Sequence, residues 1–350
     1  MRKRISEQLN KKDMEPFIIA EAGINHNGDI NLARKMIRAA KEAGADAVKF
    51  QTFKAEEFVQ DKTLTYTYQS QGVTVTESML EMFKRNEFSK EEWKDLKAFC
   101  DKEEITFLST PENYSDLQLL IPLGIEAVKV GSDDFTNLPL MRDFAEKGLP
   151  MMISCGMADE EEIAQTLQVV RENSNQPIVL FLCTSEYPTP PEDVNLLKLT
   201  SIADKFPYVI PGLSDHTEGS QAAIAAVALG ARVFEKHFTM DHNLPGPDHW
   251  FSAEPEELKN WIGSIRKTYR MLGSKKLIPT EKEREMRDLA RRSITTLKQI
   301  GKGEVFDETN LCMRRPGTGI PGRKWDAVIG KKAARDIAKG IQLQAEDIDE

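Results

Sequence analysis

The stretch FIIAEAGINHNGDINLARKMIRAAKEAGADAVKF, residues 17–50, contains the unit from which most of the chain is built. Phe17 to Ala22 is a short apolar run, and glycine and asparagine then make a turn. Asn31 to Ala43 carries Leu32, Met36, Ile37 and Ala40 at helical spacing, and Ala47 to Phe50 begins the next strand. The alternation repeats. Strands are expected at Thr106 to Ser109, Ala127 to Val130, Met151 to Ser154, Ile178 to Cys183, Tyr208 to Pro211 and Arg232 to Glu235. Between them lie amphipathic segments such as Ser89 to Cys100, Glu160 to Arg171 and Gln221 to Leu229, and the last is Pro255 to Leu272. Eight strand-helix units in roughly 260 residues fit an α/β (β/α)8 TIM barrel better than a doubly wound sheet.

Chemistry in such a barrel sits at the carboxyl ends of the strands. Those ends read Glu21; Lys49 and Gln51; Ser109 and Thr110; Lys129 and Ser132; Ser154; Thr184 and Tyr187; Ser214 and His216; Glu235 and His237. A purely structural rim needs no such concentration of polar groups. Of five histidines, His216, His237, His242 and His249 fall close together, which points to a divalent-metal centre. His216 and His237 are too far apart to be a helical pair, so they share a metal only if adjacent parallel strands bring their ends together. Taken singly, each also fits a hydrogen-bonded core or loop histidine.

The chain has 350 residues, a net charge of -9 and 40% hydrophobic residues, enough for a substantial core. No basic footprint favours nucleic acid or an anionic membrane, so an anionic substrate would need locally concentrated Lys or Arg. Neither a signal-peptide-like apolar stretch nor a membrane span is evident, which leads to a cytoplasmic expectation. Cys100, Cys155, Cys183 and Cys312 have no paired spacing and read as buried reduced thiols. The barrel is expected over 1–273 and a charged linker over 274–292, where Glu281 to Arg292 reads as a solvated helix. A compact Gly-rich unit is expected over 293–350, small enough to lean on the barrel or on a second subunit.

Several segments together resemble the sialic acid synthases. They are Ile19-Ala20-Glu21-Ala22-Gly23 with Asn25-His26-Asn27-Gly28, Val48-Lys49-Phe50-Gln51-Thr52, Ser109-Thr110-Pro111, Val128-Lys129-Val130-Gly131-Ser132, Tyr187-Pro188-Thr189-Pro190, both histidine segments and Pro245-Gly246-Pro247-Asp248-His249. Arg315-Pro316-Gly317-Thr318-Gly319 and the surrounding tail resemble the antifreeze-like (SAF) domain of these enzymes, so the similarity runs along nearly the whole chain.

The resemblance implies a transferase that condenses phosphoenolpyruvate with an open-chain N-acetylated amino sugar. It implies manganese or magnesium on His216 and His237, with Glu235 acting on the metal through water. Lys49 and Lys129, with Ser132, Ser154, Ser185, Tyr187 and Ser214, would hold phosphoenolpyruvate, and Glu21 would position or deprotonate water. Gln51 and Asp248 would meet sugar hydroxyls, and Arg315 would reach the acetamido sugar from the partner of a domain-exchanged homodimer. The bland alternatives are lysine stems snorkelling to solvent, a rim carboxylate at Glu21 and a solvated Arg315. His26, His242 and His249 read as loop or supporting groups. Gly131-Ser132-Asp133-Asp134 places an aspartate where relatives commonly have glutamate, and Lys62 to Thr76 reads as a polar loop suited to recognising variable sugar positions. Two other functions fit the residues: another metal-dependent barrel aldolase or synthase using phosphoenolpyruvate, and a non-catalytic carbohydrate- or ice-binding protein.

Overall fold

The computed structural model describes residues 5–11 and 13–349. Eight parallel strands, β1 (Phe17–Gly23), β2 (Ala47–Thr52), β3 (Thr106–Pro111), β4 (Val128–Val130), β5 (Met151–Ser154), β6 (Ile178–Cys183), β7 (Val209–Ser214) and β8 (Val233–His237), form one sheet. Their order is β3-β2-β1-β8-β7-β6-β5-β4. The first and last strands pair from Phe17 with Val233 to Glu21 with His237. At the remaining seam β3 and β4 lie against each other without a ladder, so the sheet is a nearly closed barrel.

Helices follow the strands, and local chemistry sets their ends. Helix Ile30–Ala43 starts where the Asp29 side chain accepts from the Asn31 N–H, and it stops at Gly44, whose φ of 93° is left-handed. Helix Lys90–Lys102 opens on a reciprocal Ser89/Glu92 capping box.

Alternation along each strand separates two cores. Ile18, Ala20, Val48, Phe107, Val128, Ile153 and Leu180 face the helices. Phe17, Ile19, Ala47, Leu108, Ala127, Met152, Val179, Phe181 and Val233 pack together inside the barrel. The short helix Ile5–Leu9 adds Ile5 and Leu9, with Met14, to that inner group and plugs the amino-terminal end. Truncating one of these packed side chains, for example Leu108→Ala, costs about 2–5 kcal/mol.

Three expectations need correction. β7 runs to Ser214 rather than ending at Pro211, and β8 runs to His237 rather than Glu235, so Ser214 and His237 are strand residues. Lys62 to Thr76 is not an irregular loop: Thr65–Ser70 pairs antiparallel with Val73–Ser78. Gln71 and Gly72, with φ of 53° and 77°, form the mirror-image turn that suits a hairpin. Of the four cysteines, Cys100 and Cys155 are buried as expected, whereas Cys183 and Cys312 are only half-buried.

Ser274–Glu350 forms a second compact unit. Helix Glu281–Ala290 buries none of its residues. Ser293–Thr296 pairs with Leu311–Arg314 over a core that includes Ile294, Ile300, Phe306, Leu311 and Leu343. Among the described residues, no helix is long and apolar enough to cross a membrane.

Candidate active site

The inward-facing parity that builds the barrel interior turns polar at the carboxyl ends. Ile19 gives way to Glu21, Ala47 to Lys49 and Gln51, and Leu108 to Thr110. Ala127 likewise gives way to Lys129, Met152 to Ser154, Phe181 to Cys183, and Val233 to Glu235 and His237. Ser214 continues the same parity on β7. All these polar residues line one cavity of about 790 Å³. Ser132, Ser185, Tyr187, His216 and Asp248 line it too, so every barrel residue to which the resemblance gives a role reaches it, whereas the strand-end residues Ser109 and Thr184 do not line it. Arg315 lies in the second unit.

Four buried charges organise the floor. The Lys49 ammonium is 2.9 Å from Glu21 Oε1 and 3.8 Å from Glu235 Oε2, and the Lys129 ammonium is 3.6 Å from Glu235 Oε1. Lys49 donates to Thr110 Oγ1 at 2.9 Å, Lys129 to Ser154 Oγ at 2.8 Å, and Ser214 Oγ to Glu235 Oε1 at 2.9 Å. Neither lysine snorkels to solvent, since both are almost fully buried. Isolated ammoniums at this depth would be prohibitive, and the carboxylates between them make the arrangement tolerable.

The two glutamates differ in consequence. Burial pushes Glu21 up to about 7 against the pull of Lys49, helped by the negative charge of Glu235. Burial also acts on Glu235, but Lys129, Lys49 and the Ser214 hydrogen bond outweigh it and hold this carboxyl below its usual range. Glu235 is therefore the fixed counter-ion and Glu21 the group able to exchange a proton near neutrality.

The imidazoles of His216 and His237 lie 5.4 Å apart, centroid to centroid. Burial pushes His216 down to about 4 and His237 well below the usual histidine range. Both rings are thus neutral, as metal ligation requires. His216 Nδ1 faces the Thr184 carbonyl at 2.7 Å, which fixes the ring, and His237 Nδ1 is buried without a hydrogen-bond partner. Fixed neutral rings with uncommitted nitrogens beside the Glu235 carboxylate suit a divalent cation.

Two close approaches shape the rest. A Cβ on Gly156 would lie 2.6 Å from both Ser132 Oγ and Ser185 Oγ, so these hydroxyls converge over a bare backbone whose N–H donates to Ser132 at 3.0 Å. At Gly23, with φ of 52°, a Cβ would lie 3.4 Å from Glu21 Oε1 and 3.8 Å from both Asp248 Oδ2 and Gln51 Oε1. These three groups face one point. Burial alone pushes Asp248 up to about 6.

His249 bonds to the Thr239 hydroxyl at 2.6 Å, and His26 is fully buried against Phe88, so both support loops rather than line the cavity. His242 faces the Ser252 carbonyl. Tyr66 and Tyr68, from the segment expected to recognise variable sugar positions, stand in the cavity wall, together with groups not anticipated as site residues: Met157, Trp250, Phe251 and Cys183. The Thr-Tyr-Thr-Tyr alternation was the available signal for the hairpin. Glu112, Asp133 and Asp134 bring carboxylate oxygens within 4.8 Å of one another near the rim. Burial, then Asp133 and Asp134, push Glu112 well above its usual range, so this cluster does not carry three full charges.

The NeuB family model matches residues 36–277, and the SAF domain model matches residues 291–349. N,N'-diacetyllegionaminic acid synthase of Legionella pneumophila is 41% identical, with 96% of this chain and 95% of that protein covered. Human N-acetylneuraminate-9-phosphate synthase is 34% identical, with 95% and 92% covered. The crystal structure of N-acetylneuraminic acid (sialic acid) synthetase from Leptospira borgpetersenii superposes with a TM-score of 0.70 at 35% identity, over 78% of this chain and 90% of that one. The strand-end residues, the barrel and the small second unit thus lead to one assignment: the chain belongs to the NeuB family.

Proposed function

We propose that the protein condenses phosphoenolpyruvate, an open-chain N-acetylmannosamine-type sugar and water into a nine-carbon 2-keto sugar acid and phosphate. The observation that carries this reading is the pair of buried ammoniums, Lys49 and Lys129, held on a cavity floor beside two neutral histidines. A small trianion matches that floor. Lys49 and Lys129, with Ser132, Ser154, Ser185, Tyr187 and Ser214, bind its carboxylate and phosphate, and Gln51 and Asp248 bind sugar hydroxyls. The barrel, 1–273, carries catalysis, and 293–350 forms the SAF domain beyond a linker. Arg315 enters from the partner subunit of a domain-exchanged homodimer in the cytoplasm.

His216 and His237 would hold Mn2+ or Mg2+, which when bound polarises the sugar aldehyde. Carbon 3 of phosphoenolpyruvate forms a bond to the aldehyde carbon, leaving positive charge at carbon 2 that the Glu235 carboxylate stabilises. The attack moves the carbonyl π pair onto the aldehyde oxygen; water then adds to carbon 2 and gives one proton to Glu21, whose proton affinity near neutrality suits taking it up and returning it to that oxygen as the new hydroxyl. The tetrahedral intermediate then collapses: the hydroxyl added at carbon 2 becomes the keto oxygen, the bond from carbon 2 to the bridging oxygen breaks, and the hydroxyl proton leaves with the phosphate. No Schiff-base lysine is required, because phosphoenolpyruvate already carries the nucleophilic enol carbon that a lysine imine would otherwise have to generate.

The test is phosphoenolpyruvate labelled with heavy oxygen at the bridging position, supplied with N-acetylmannosamine. Labelled inorganic phosphate is the expected result. Label retained in the organic product rules the mechanism out, and absence of any sugar-dependent phosphate release from this and related acetamido sugars rules out the synthase reading.

A further inference from the structure

The cavity is strongly asymmetric in charge. Among the described residues, Lys49 and Lys129 are the only ammonium or guanidinium groups lining it, and both lie buried on the floor. Toward the mouth the ionisable side chains are carboxylates, with Asp133 and Glu186 exposed and Asp248 half-buried. The exposed lining also includes large apolar side chains: Met157 is 73% exposed, Trp250 37% and Tyr66 39%.

The hairpin 65–78 closes one side of this mouth. Most of its residues are exposed, but it is tied to the loop after β8 by Gly246 N–H donating to Ser70 Oγ at 3.2 Å and by Gln71 donating to the Asn243 carbonyl at 2.9 Å. Its two tyrosines have different duties. Tyr68 donates its hydroxyl to Glu77, which is also paired with Arg85, so it braces the ribbon. Tyr66 stacks on Tyr68 with centroids 5.7 Å apart and faces the cavity near Asp248, its hydroxyl in no hydrogen bond among the described residues. A rigid aromatic face with a free hydroxyl, held by a braced neighbour, is the construction of a recognition surface.

We propose that Tyr66, with Asp248 and Trp250, forms the subsite for the end of the acceptor sugar farthest from its aldehyde, and that this subsite selects an uncharged, apolar terminal carbon and rejects a phosphorylated one. The inference rests on the synthase reading above. A terminal phosphate there would meet the Asp248 carboxylate, in a cavity whose exposed lining also carries Asp133 and Glu186 and, among the described residues, no ammonium or guanidinium outside the floor. At an effective dielectric of about 20, one pair of like unit charges about 8 Å apart lowers binding roughly thirtyfold. A terminal methyl instead exchanges water for the aromatic surface of Tyr66 and Trp250.

The experiment compares kcat/KM, at one saturating phosphoenolpyruvate concentration, for N-acetylmannosamine, its 6-phosphate and 2,4-diacetamido-2,4,6-trideoxymannose. The expected order places the trideoxy sugar first and the 6-phosphate about a hundredfold or more below N-acetylmannosamine. Tyr66→Ala raises KM for the trideoxy sugar about tenfold and leaves KM for phosphoenolpyruvate unchanged, whereas Tyr66→Phe retains most of the preference. Glu186→Lys, on an exposed side chain, narrows the gap between the phosphorylated and free sugars without involving the hairpin. Turnover of the 6-phosphate equal to or above that of the neutral sugars, or an unchanged acceptor preference in Tyr66→Ala, overturns the subsite while leaving the synthase reading standing. No phosphate release with any of the three sugars instead sinks the synthase reading itself.

Discussion

Adding one methyl group at Gly156 tests whether Ser132 and Ser185 hold the phosphoenolpyruvate end of the cavity. The new Cβ in Gly156→Ala would lie 2.6 Å from each serine oxygen and 3.0 Å from Ser132 Cβ. Ordinary van der Waals contact needs about 3.5 Å, so each hydroxyl must retreat by roughly 1 Å. Rotation alone does not solve this, because Ser132 Oγ accepts the residue 156 N–H at 3.0 Å and its Cβ is itself in close contact. Overpacking of this kind costs about 1–3 kcal/mol of stability, and a 1 Å displacement of binding groups costs on the order of a hundredfold in rate. Expected, therefore, is a loss of about a hundredfold in kcat/KM for phosphoenolpyruvate with a modest fall in unfolding free energy, read by steady-state phosphate release and urea unfolding. Gly263→Ala is the matched control. Its Cβ meets nothing within 4 Å and the position is helical, so it should gain about 0.4–1 kcal/mol and keep full activity. A Gly156→Ala protein within threefold of the parent in kcat/KM would refute the assignment of these serines.

Replacing His216 or His237 by alanine should remove tight manganese binding, measured by electron paramagnetic resonance of free Mn2+, while the circular dichroism spectrum stays that of the parent; undiminished binding in both variants excludes the pair as ligands. His26, which burial and then His249 push down to about 3, stays neutral in the fold while the unfolded chain takes up a proton below about 6.5. Stability is therefore lost as pH falls below that value, and His26 contributes about 1.4 kcal/mol per pH unit to the slope. His26→Phe should flatten urea-derived stability between pH 6 and pH 5 by about that amount, and an unaltered slope contradicts the neutral buried ring. Separately inactive His237→Ala and Arg315→Ala proteins, unfolded together and refolded, should regain activity through dimers that pair an intact barrel with an intact Arg315. No recovery in mixed dimers verified by mass means that the arginine serves its own chain.

Much of the site was legible because strand ends are local. Lys49, Lys129, Ser154 and Glu235 each close an apolar run, and a barrel requires the ends of such runs to meet. The ends themselves were less legible. Pro211 and the charged Glu235-Lys236 pair weaken the strand signal, yet β7 and β8 continue because their neighbours offer ladder partners, Cys183 beside Ser214 and Glu21 beside His237. The hairpin is poorly legible because it lacks an apolar face: Thr65 to Thr76 alternates, but both sides of the ribbon are largely polar or exposed. Met157 and Trp250 carry no motif, and only the cavity's shape makes them site residues.

By itself, the sequence determined the eight strands and their helices, the polar strand ends and the two histidines, because apolar periodicity, caps and turns act over a few residues. Only the tertiary structure decided how those ends act on one another. Pairing of β1 with β8 joins segments more than two hundred positions apart, and it brings Glu21, Lys49, Glu235 and Lys129 into one buried network. There, desolvation and neighbouring charge separate two chemically identical carboxyl groups, holding Glu235 low and pushing Glu21 up to about 7. That division depends on distance and burial, which no local pattern of residues encodes.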